Sequence, residues 1–292
     1  VPLFPRLRGE GVRKPRMWSE RLIVFLTVAF LLLLQVLPLI ALATRSVTRL
    51  EADRGQREEV RTGLTLDFYR ELFVNSNQSV FYVPPAVAVG NSLRYAGITT
   101  VISTVAGTLL AYAMVKKQSA RRWLDAVVML PFGASAVTLG LGFIVAFSGT
   151  RLTGSSFPWL IPLAHSLIAM PFVLRAVQPA LAAIPVSLGQ SAAVLGASPL
   201  RVWWEVEMKL ISRAMISAAL FSFTISLGEF GATSFIARPD NPTLPVAIFR
   251  YLGQPGAMNY GQAMAMATIL ILVCAISIAL LENLSRAFTG TD

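Results

Sequence analysis

Six runs of roughly twenty residues, nearly free of charge, dominate this chain: Leu22–Ala43, Leu93–Val115, Ala126–Phe147, Phe157–Leu181, Ala214–Ile236 and Gly261–Leu281. A hydrocarbon core about 30 Å thick is crossed by a helix in about 20 residues. Runs of this length predict an all-α, polytopic membrane protein with about six transmembrane helices. The fourth run is the least pure, because Arg175 and Gln178 sit near its end, where an arginine can snorkel to the interface. Only 14% of the 292 residues are charged, against about 25% in soluble domains. The net charge of +10 does not point to nucleic acid, because the basic residues gather beside the apolar runs. One cysteine, Cys274, excludes an intrachain disulfide and a cysteine-based metal cluster, and one histidine, His165, excludes a His-rich metal site.

Charge asymmetry orients the spans. The tail before the first run carries six basic residues, Arg6, Arg8, Arg13, Lys14, Arg16 and Arg21, and the short link 116–122 (KKQSARR) carries four. With six spans these segments lie on one side, assigned to the cytoplasm by the positive-inside rule. The link 148–156 has only Arg151. Both termini and the segment 182–213 are then expected in the cytoplasm, and the loop 237–260 outside. The basic tail looks like the start of a signal peptide, yet the run 22–43 is too long and lacks a small-residue cleavage site, so it reads as a retained span. The chain begins at Val1 rather than Met, as expected if it is processed, cut, or one part of a longer polypeptide. Within the loop 44–92, residues 51–61 (EADRGQREEVR) read as a solvated mixed-charge stretch. Residues 67–73 (DFYRELF) are amphipathic, and either lie along the interface or cap the bundle.

The segment Gln190–Lys209 (QSAAVLGASPLRVWWEVEMK) interrupts the spans with structure of its own. Ser187 and Gln190 have capping-box spacing, which predicts a helix from Leu188 to Leu195. Ala192, Ala193 and Gly196 place small residues where a neighbouring backbone can approach. Gly196 is positioned to end that helix with positive φ. Ser198 followed by Pro199 is a fresh N-cap with proline at the first helical position. It predicts a second helix, Pro199 to Ile211, with Trp203 and Trp204 as interfacial anchors. Residues alone leave two readings, an amphipathic pair resting on the membrane or a cytoplasmic docking element.

At these residues the chain resembles the inner-membrane permeases of ABC importers. Their loop has the pattern Glu-Ala-Ala, three residues, Gly, nine residues, Ile-x-Leu-Pro. Gly196 and Ala192 match it, and Val206 and Met208 are conservative. Gln190 replaces the acid and Lys209 the proline. Gly196-Ala197-Ser198-Pro199, Asn91-Ser92-Leu93 opening a span, the Lys/Arg link and Leu130-Pro131 are also similar, so the resemblance covers most of Asn91 to Leu281. It implies a type I permease without catalysis of its own. A cytoplasmic ABC ATPase dimer would receive Gln190, Ala192, Ala193, Gly196, Ala197, Ser198, Pro199 and Val206. A second permease half, identical, homologous or fused, would complete the pathway, and an external solute-binding protein would deliver the cargo. ATP and Mg would sit on the ATPase, with no cofactor on this chain, which lacks a GxxxxGK[ST] motif. The location implied is a bacterial or archaeal inner membrane. The chain then divides into a basic cytoplasmic leader (1–21), a first span (22–43), an external loop (44–90), a permease core (91–285, with its coupling loop at 186–211) and a cytoplasmic tail (286–292).

Span five carries the pathway candidates. Ser222, Thr224, Ser226 and Thr233 are polar within it, and Glu229 is ionisable between Gly228 and Gly231. A carboxylate at membrane depth marks function by default. The alternative places Glu229 near the outer interface, capped by Arg238 or by backbone. His165 and Gln178 of span four are secondary candidates, and a lone membrane histidine also serves to bond a neighbouring helix. Residues 228–233 (GEFGAT) are similar to oxyanion members of the family, for molybdate or sulfate. Pro242-Thr243-Leu244-Pro245 and Tyr251-Leu252-Gly253 look closer to iron(III) and thiamine members, toward which the reading leans. Both halves are often fused in that branch, and a chain without Met and with a basic leader suits a C-terminal half. A membrane enzyme, such as a lipid-modifying transferase, would need a cluster of acids, His or Cys at the interface, which the spans lack. An anchoring subunit without a pathway fits the polar residues of span five less well.

Overall fold

The computed structural model describes residues 15, 17–49, 63–74, 82–116, 118–150, 159–238 and 241–289. The mixed-charge stretch 51–61, Arg151 and most of the basic leader lie outside the described residues. The architecture is all-α, with one two-residue antiparallel ladder, β1 (Thr48–Arg49) on β2 (Gly63–Leu64), among the described residues.

Among the described residues, five helices are long and apolar enough to cross a bilayer. They are α1 (Trp18–Arg45), α3 (Pro85–Lys116), α6 (Leu160–Ala182), a continuous helix over Pro199–Gly228, and α12 (Ala257–Thr289), of which Ala257–Asn283 meets the criterion. α6 is the axis of the bundle: 61% of its most apolar window is buried, against none of α1. α3, α6 and the helix ending at Gly228 pack together around Ala111, Met114, Val173, Val177, Ile211 and Ala218. Lipid tails are as apolar as leucine, so helices in a bilayer associate by close packing and internal hydrogen bonds. α1 buries nothing and displays Leu22 through Ile40 outward, as a lipid-facing helix should. The Glu20 carboxylate accepts from the Met17 amide at its start, where the helix dipole favours an acid.

Two of the six runs are not single straight helices. The third is broken into α4 (Gln118–Gly133) and α5 (Ala136–Phe147), whose axes bend by 104°. The break has local causes. Gly133 ends α4, and the Ser135 hydroxyl accepts from the Thr138 amide at 3.1 Å, restarting the helix. The fifth run stops at Gly228. Glu229 turns to extended geometry (φ −72°, ψ 121°), and a one-turn helix α10 (Thr233–Ile236) follows. The two breaks interlock. A Cβ on Gly140 would stand 2.7 Å from the Ala232 backbone, and one on Gly231 would stand 2.8 Å from Ala136 Cβ.

On the far side of the bundle from the segment after α6, the amphipathic helix α2 (Asp67–Val74) caps the bundle. Phe68 and Leu72 are buried in a cluster with Leu244, Ala247 and Tyr251 of α11 (Leu244–Leu252) and Met266 of α12. Phe68 packs against Gly261, where a Cβ would come within 2.2 Å of its ring. Arg49 pairs with Asp67 at the start of α2. Arg175 reaches Asp125 of α4 at 3.6 Å, with both side chains partly exposed.

Candidate functional site

Four of the span-four and span-five candidates meet in one buried network. Glu229 turns its carboxylate back on the break after Gly228. Oε1 accepts from the Ala232 amide at 2.8 Å, and Oε2 accepts from the Thr233 amide at 3.0 Å and the Thr233 hydroxyl at 2.6 Å. His165 of α6 stands between α10 and the helix before the break. Its Nε2 lies 2.6 Å from Thr233 Oγ1 and 3.1 Å from Glu229 Oε2, and its Nδ1 lies 2.7 Å from Ser226 Oγ. The Ser226 hydroxyl donates to Thr99 Oγ1 of α3 at 3.3 Å, and Thr99 donates to the Pro162 carbonyl at 3.4 Å. Glu229, His165, Ser226, Thr233 and Thr99 are all buried. A buried carboxylate and imidazole are tolerable because each polar atom has a partner, and a partner removed would leave a costly orphan. The backbone amides that Glu229 caps belong to its own chain, so the capping alternative describes its geometry. The Arg238 carbonyl accepts from Arg250 at 3.1 Å.

The remaining candidates fall elsewhere. Ser222 is buried against Ser103 of α3, the two hydroxyls sharing a hydrogen bond of 2.5 Å. Thr224 is exposed on another face and only donates back to the Leu220 carbonyl. Gln178 is buried thirteen residues beyond His165 on α6, about 20 Å along the axis, and does not join the network. Thr99 of α3 is the network member that sequence reasoning missed, and Ser103, one helical turn on, is the partner of Ser222 that it missed. Their i, i+4 spacing within an apolar run was the available signal. Among the described residues no group of three or more His, Cys, Asp or Glu is placed to hold a metal.

The second candidate region is the segment after α6. α7 (Val186–Val194) starts two residues earlier than the capping box predicts. Pro185 occupies the N-cap without a side-chain bond, and Ser187 lies inside the helix. Proline's fixed φ, already compatible with a helix entry, outcompetes the serine. The end of α7 is as expected. Gly196 has φ +85°, with its amide bonded to the Ala193 carbonyl and the Ala197 amide to the Ala192 carbonyl, the paired bonds of a Schellman motif. Ser198 caps the next helix by accepting from the Arg201 amide at 3.4 Å, with Pro199 at its first position. That next helix is not a separate second member ending at Ile211. α8 (Pro199–Val202) passes through a single π turn, Trp203–Glu207, into α9 (Met208–Gly228) as one rod. The Met208 amide reaches back five residues to the Trp203 carbonyl. Of the matched residues, Gln190, Ala193, Gly196, Ser198 and Pro199 are exposed, and Ala192, Ala197 and Val206 are half-buried. α7 buries no residue at all. Val194 and Leu195 at its tip are each 88% exposed, and Val186 and Leu200 nearly as much.

The profile of the binding-protein-dependent transport system inner membrane component family matches residues 103–290. The chain belongs to this family. It is therefore a multi-pass inner-membrane component. PhnV of Salmonella paratyphi A, named as a permease protein of a 2-aminoethylphosphonate transport system, is 36% identical over 166 residues, covering 57% of this chain and 60% of PhnV. The sulfate transport system permease protein CysT of Salmonella typhimurium is 33% identical over 157 residues, 50% of this chain and 57% of CysT. The matched region thus spans about three fifths of the length of these relatives. Among solved structures, a bacterial ABC transporter importing the acidic polysaccharide alginate superposes with a TM-score of 0.70, covering 93% of this chain and 96% of that one at 17% identity. The methionine transporter MetNI superposes at 0.54, covering 68% and 94%, also at 17% identity. At such identities the likeness is one of fold.

Proposed function

We propose that this chain is the permease subunit of an ATP-driven importer and forms, with a second permease half, the pathway for a small solute delivered by an external binding protein. The observation that carries this reading is the α7 tip. Val194 and Leu195 stand almost fully exposed at a Schellman turn between two spans. On the side of the membrane assigned to the cytoplasm, such an apolar knob would call for a protein groove. A cytoplasmic ABC ATPase dimer, carrying ATP and Mg, is the partner proposed for it, with both permease termini on that same side. Gln190, Ala192, Ala193, Gly196, Ala197, Ser198, Pro199 and Val206 shape the knob. The continuous rod from Pro199 to Gly228 links it directly to the helix break and network at Glu229. A push on α7 is thereby delivered to the far end of span five.

For the cargo, the reading shifts from iron(III) or thiamine to a small oxyanion. The residues behind the earlier lean have packing roles. The Pro242 carbonyl accepts from Asn91, the Leu244 amide donates to Ser92 Oγ, and the buried Tyr251 hydroxyl accepts from the Val83 amide. They pin α11 to α3 and say nothing of a solute. Relatives named for phosphonate and sulfate transport support the oxyanion alternative. Uptake of radiolabelled sulfate, molybdate, 2-aminoethylphosphonate, iron(III) and thiamine in cells with and without the gene tests it. Loss confined to iron or thiamine would reverse the assignment, and loss of none would remove the importer reading.

A further inference from the structure

Each hydroxyl of the Glu229 network has one hydrogen to give, and that limit fixes the state of His165. Thr233 Oγ1 lies 2.6 Å from Glu229 Oε2 and 2.6 Å from His165 Nε2. An ionised carboxylate only accepts, so the Thr233 hydrogen goes to Oε2. Nε2, which is also 3.1 Å from that oxygen, must then carry a hydrogen of its own. On the other side of the ring, Ser226 donates to Thr99 Oγ1 at 3.3 Å, and Thr99 donates to the Pro162 carbonyl at 3.4 Å. The Ser226 hydrogen is thereby committed, so across 2.7 Å it is Nδ1 that donates to Ser226 Oγ. Both ring nitrogens are protonated. A neutral ring beside a protonated Glu229 would set bare lone pairs of Nε2 and Oε2 against each other at 3.1 Å. It would also leave the Ala232 and Thr233 amides donating to an uncharged acid, whereas two such amides favour the carboxylate.

We propose that His165 and Glu229 form a buried imidazolium–carboxylate pair that latches the break after Gly228 to α6, and that loss of one proton from Nδ1 opens the latch. The two side chains are 1% and 5% exposed, and an ion so placed is tolerated only beside its counter-ion. Among the described residues Glu229 is the one charged group within 4 Å of the ring. α3 brings Thr99 to this network, α9 brings Ser226 and α10 brings Thr233, while α5 has no titratable residue. On α3 the neighbouring titratable residue is Tyr95, one turn before Thr99. Arg175 of α6 pairs with Asp125 about 15 Å further along the axis. When a base in solvent takes the Nδ1 proton, the Ser226 hydroxyl turns from Thr99 to donate to Nδ1, and Nε2 keeps its hydrogen. The Glu229 carboxylate is then a net charge out of water, and the break relieves it by parting from α6 and wetting the carboxylate. Gly140 of α5 packs on Ala232 beside it, so the two breaks loosen together.

His165 is the single histidine of the chain, so labelling histidine with nitrogen-15 gives one ring to read. Solid-state NMR of the full chain in bilayers, at neutral pH and on titration towards alkaline pH, tests the pair. In the wild type both ring nitrogens should carry a bonded hydrogen at neutral pH, and Nδ1 alone should lose it as the pH rises. Thr99→Val removes an acceptor that Ser226 uses only beside the charged ring, and should shift the equilibrium towards the neutral ring about threefold. Glu229→Gln should leave one nitrogen bare already at neutral pH. Hydrogen exchange of the peptide holding Ala232 and Thr233, corrected at each pH against a peptide from α12, should quicken at least about tenfold over the step in which Nδ1 loses its proton. A bare nitrogen in the wild type at neutral pH would overturn the pair, including the case in which Glu229 holds the proton. Both protons kept until the protein unfolds, an equilibrium indifferent to Thr99→Val, or loss of the Nδ1 proton with unchanged exchange at Ala232 and Thr233 would overturn the latch.

Discussion

The Glu229 network and the α7 tip are opposites. One is polar and buried in an apolar bundle, and the other is apolar and exposed. In the network, carboxylate, imidazole and three hydroxyls from α3, α6, α9 and α10 are all paired within one chain. At the tip, Val194 and Leu195 touch almost nothing. A region whose groups are all satisfied internally needs nothing further, whereas one that leaves hydrocarbon in water is complete only with a partner. The comparison separates stability from function along a single rod. Changes at the network should unfold the protein, and changes at the tip should leave it folded but idle.

The largest expected effect is therefore on stability. Glu229→Leu strips the acceptor from two amides and His165, and should cost about 3–5 kcal/mol, read as a lower unfolding temperature in detergent. Glu229→Gln keeps one acceptor and should cost roughly 1–3 kcal/mol, with uptake falling in step with folded protein. Should either variant lose uptake at unchanged melting temperature, Glu229 would be a pathway group and the comparison would break. Next in size, Gly140→Val drives a side chain into the Ala232 backbone and should destabilise by about 1–3 kcal/mol through the interlocked breaks.

How far these features were legible in the sequence follows from their range. The spans are runs of local composition, and they could be read directly. So could the Gly196 turn and the Ser198 cap, because each is fixed by a few neighbouring residues. The elbow at Gly133–Ser135 was also local, but a two-residue break inside an apolar run looks like continuous span, and hydrophobicity outweighed the cap signal. The start of α7 was misplaced by two residues because Pro185 and Ser187 competed for one cap. The network was half legible. Glu229, Ser226 and Thr233 stood out in span five and His165 in span four, while Thr99 acquired meaning only when α3 was packed against α6 and α9. Proximity between distant helices is not written in one sequence. The joining of the helix that starts at Pro199 to span five, through a π turn with no sequence signature, was equally hidden.

Smaller effects sharpen the same contrast. Gly196→Ala has open space for its methyl group, so only the left-handed backbone is penalised, by about 1–2 kcal/mol. Circular dichroism melts should show that modest shift, while uptake falls more than stability alone would explain. Thr224→Ala, exposed and bonded only to its own helix, should change the melting free energy by less than about 0.5 kcal/mol. An effect on uptake there would restore Thr224 as a pathway residue.

The central claim is that the α7 tip is a docking surface and not part of the fold. The direct measurement is co-purification from native membranes of the wild type and of the double variant Val194→Asp, Leu195→Asp, each followed by thermal unfolding. The account predicts that the wild type brings an ABC ATPase with it, and that the variant inserts and melts as the wild type does but arrives alone. An ATPase retained by the variant, or a variant that unfolds like Glu229→Leu, would contradict it.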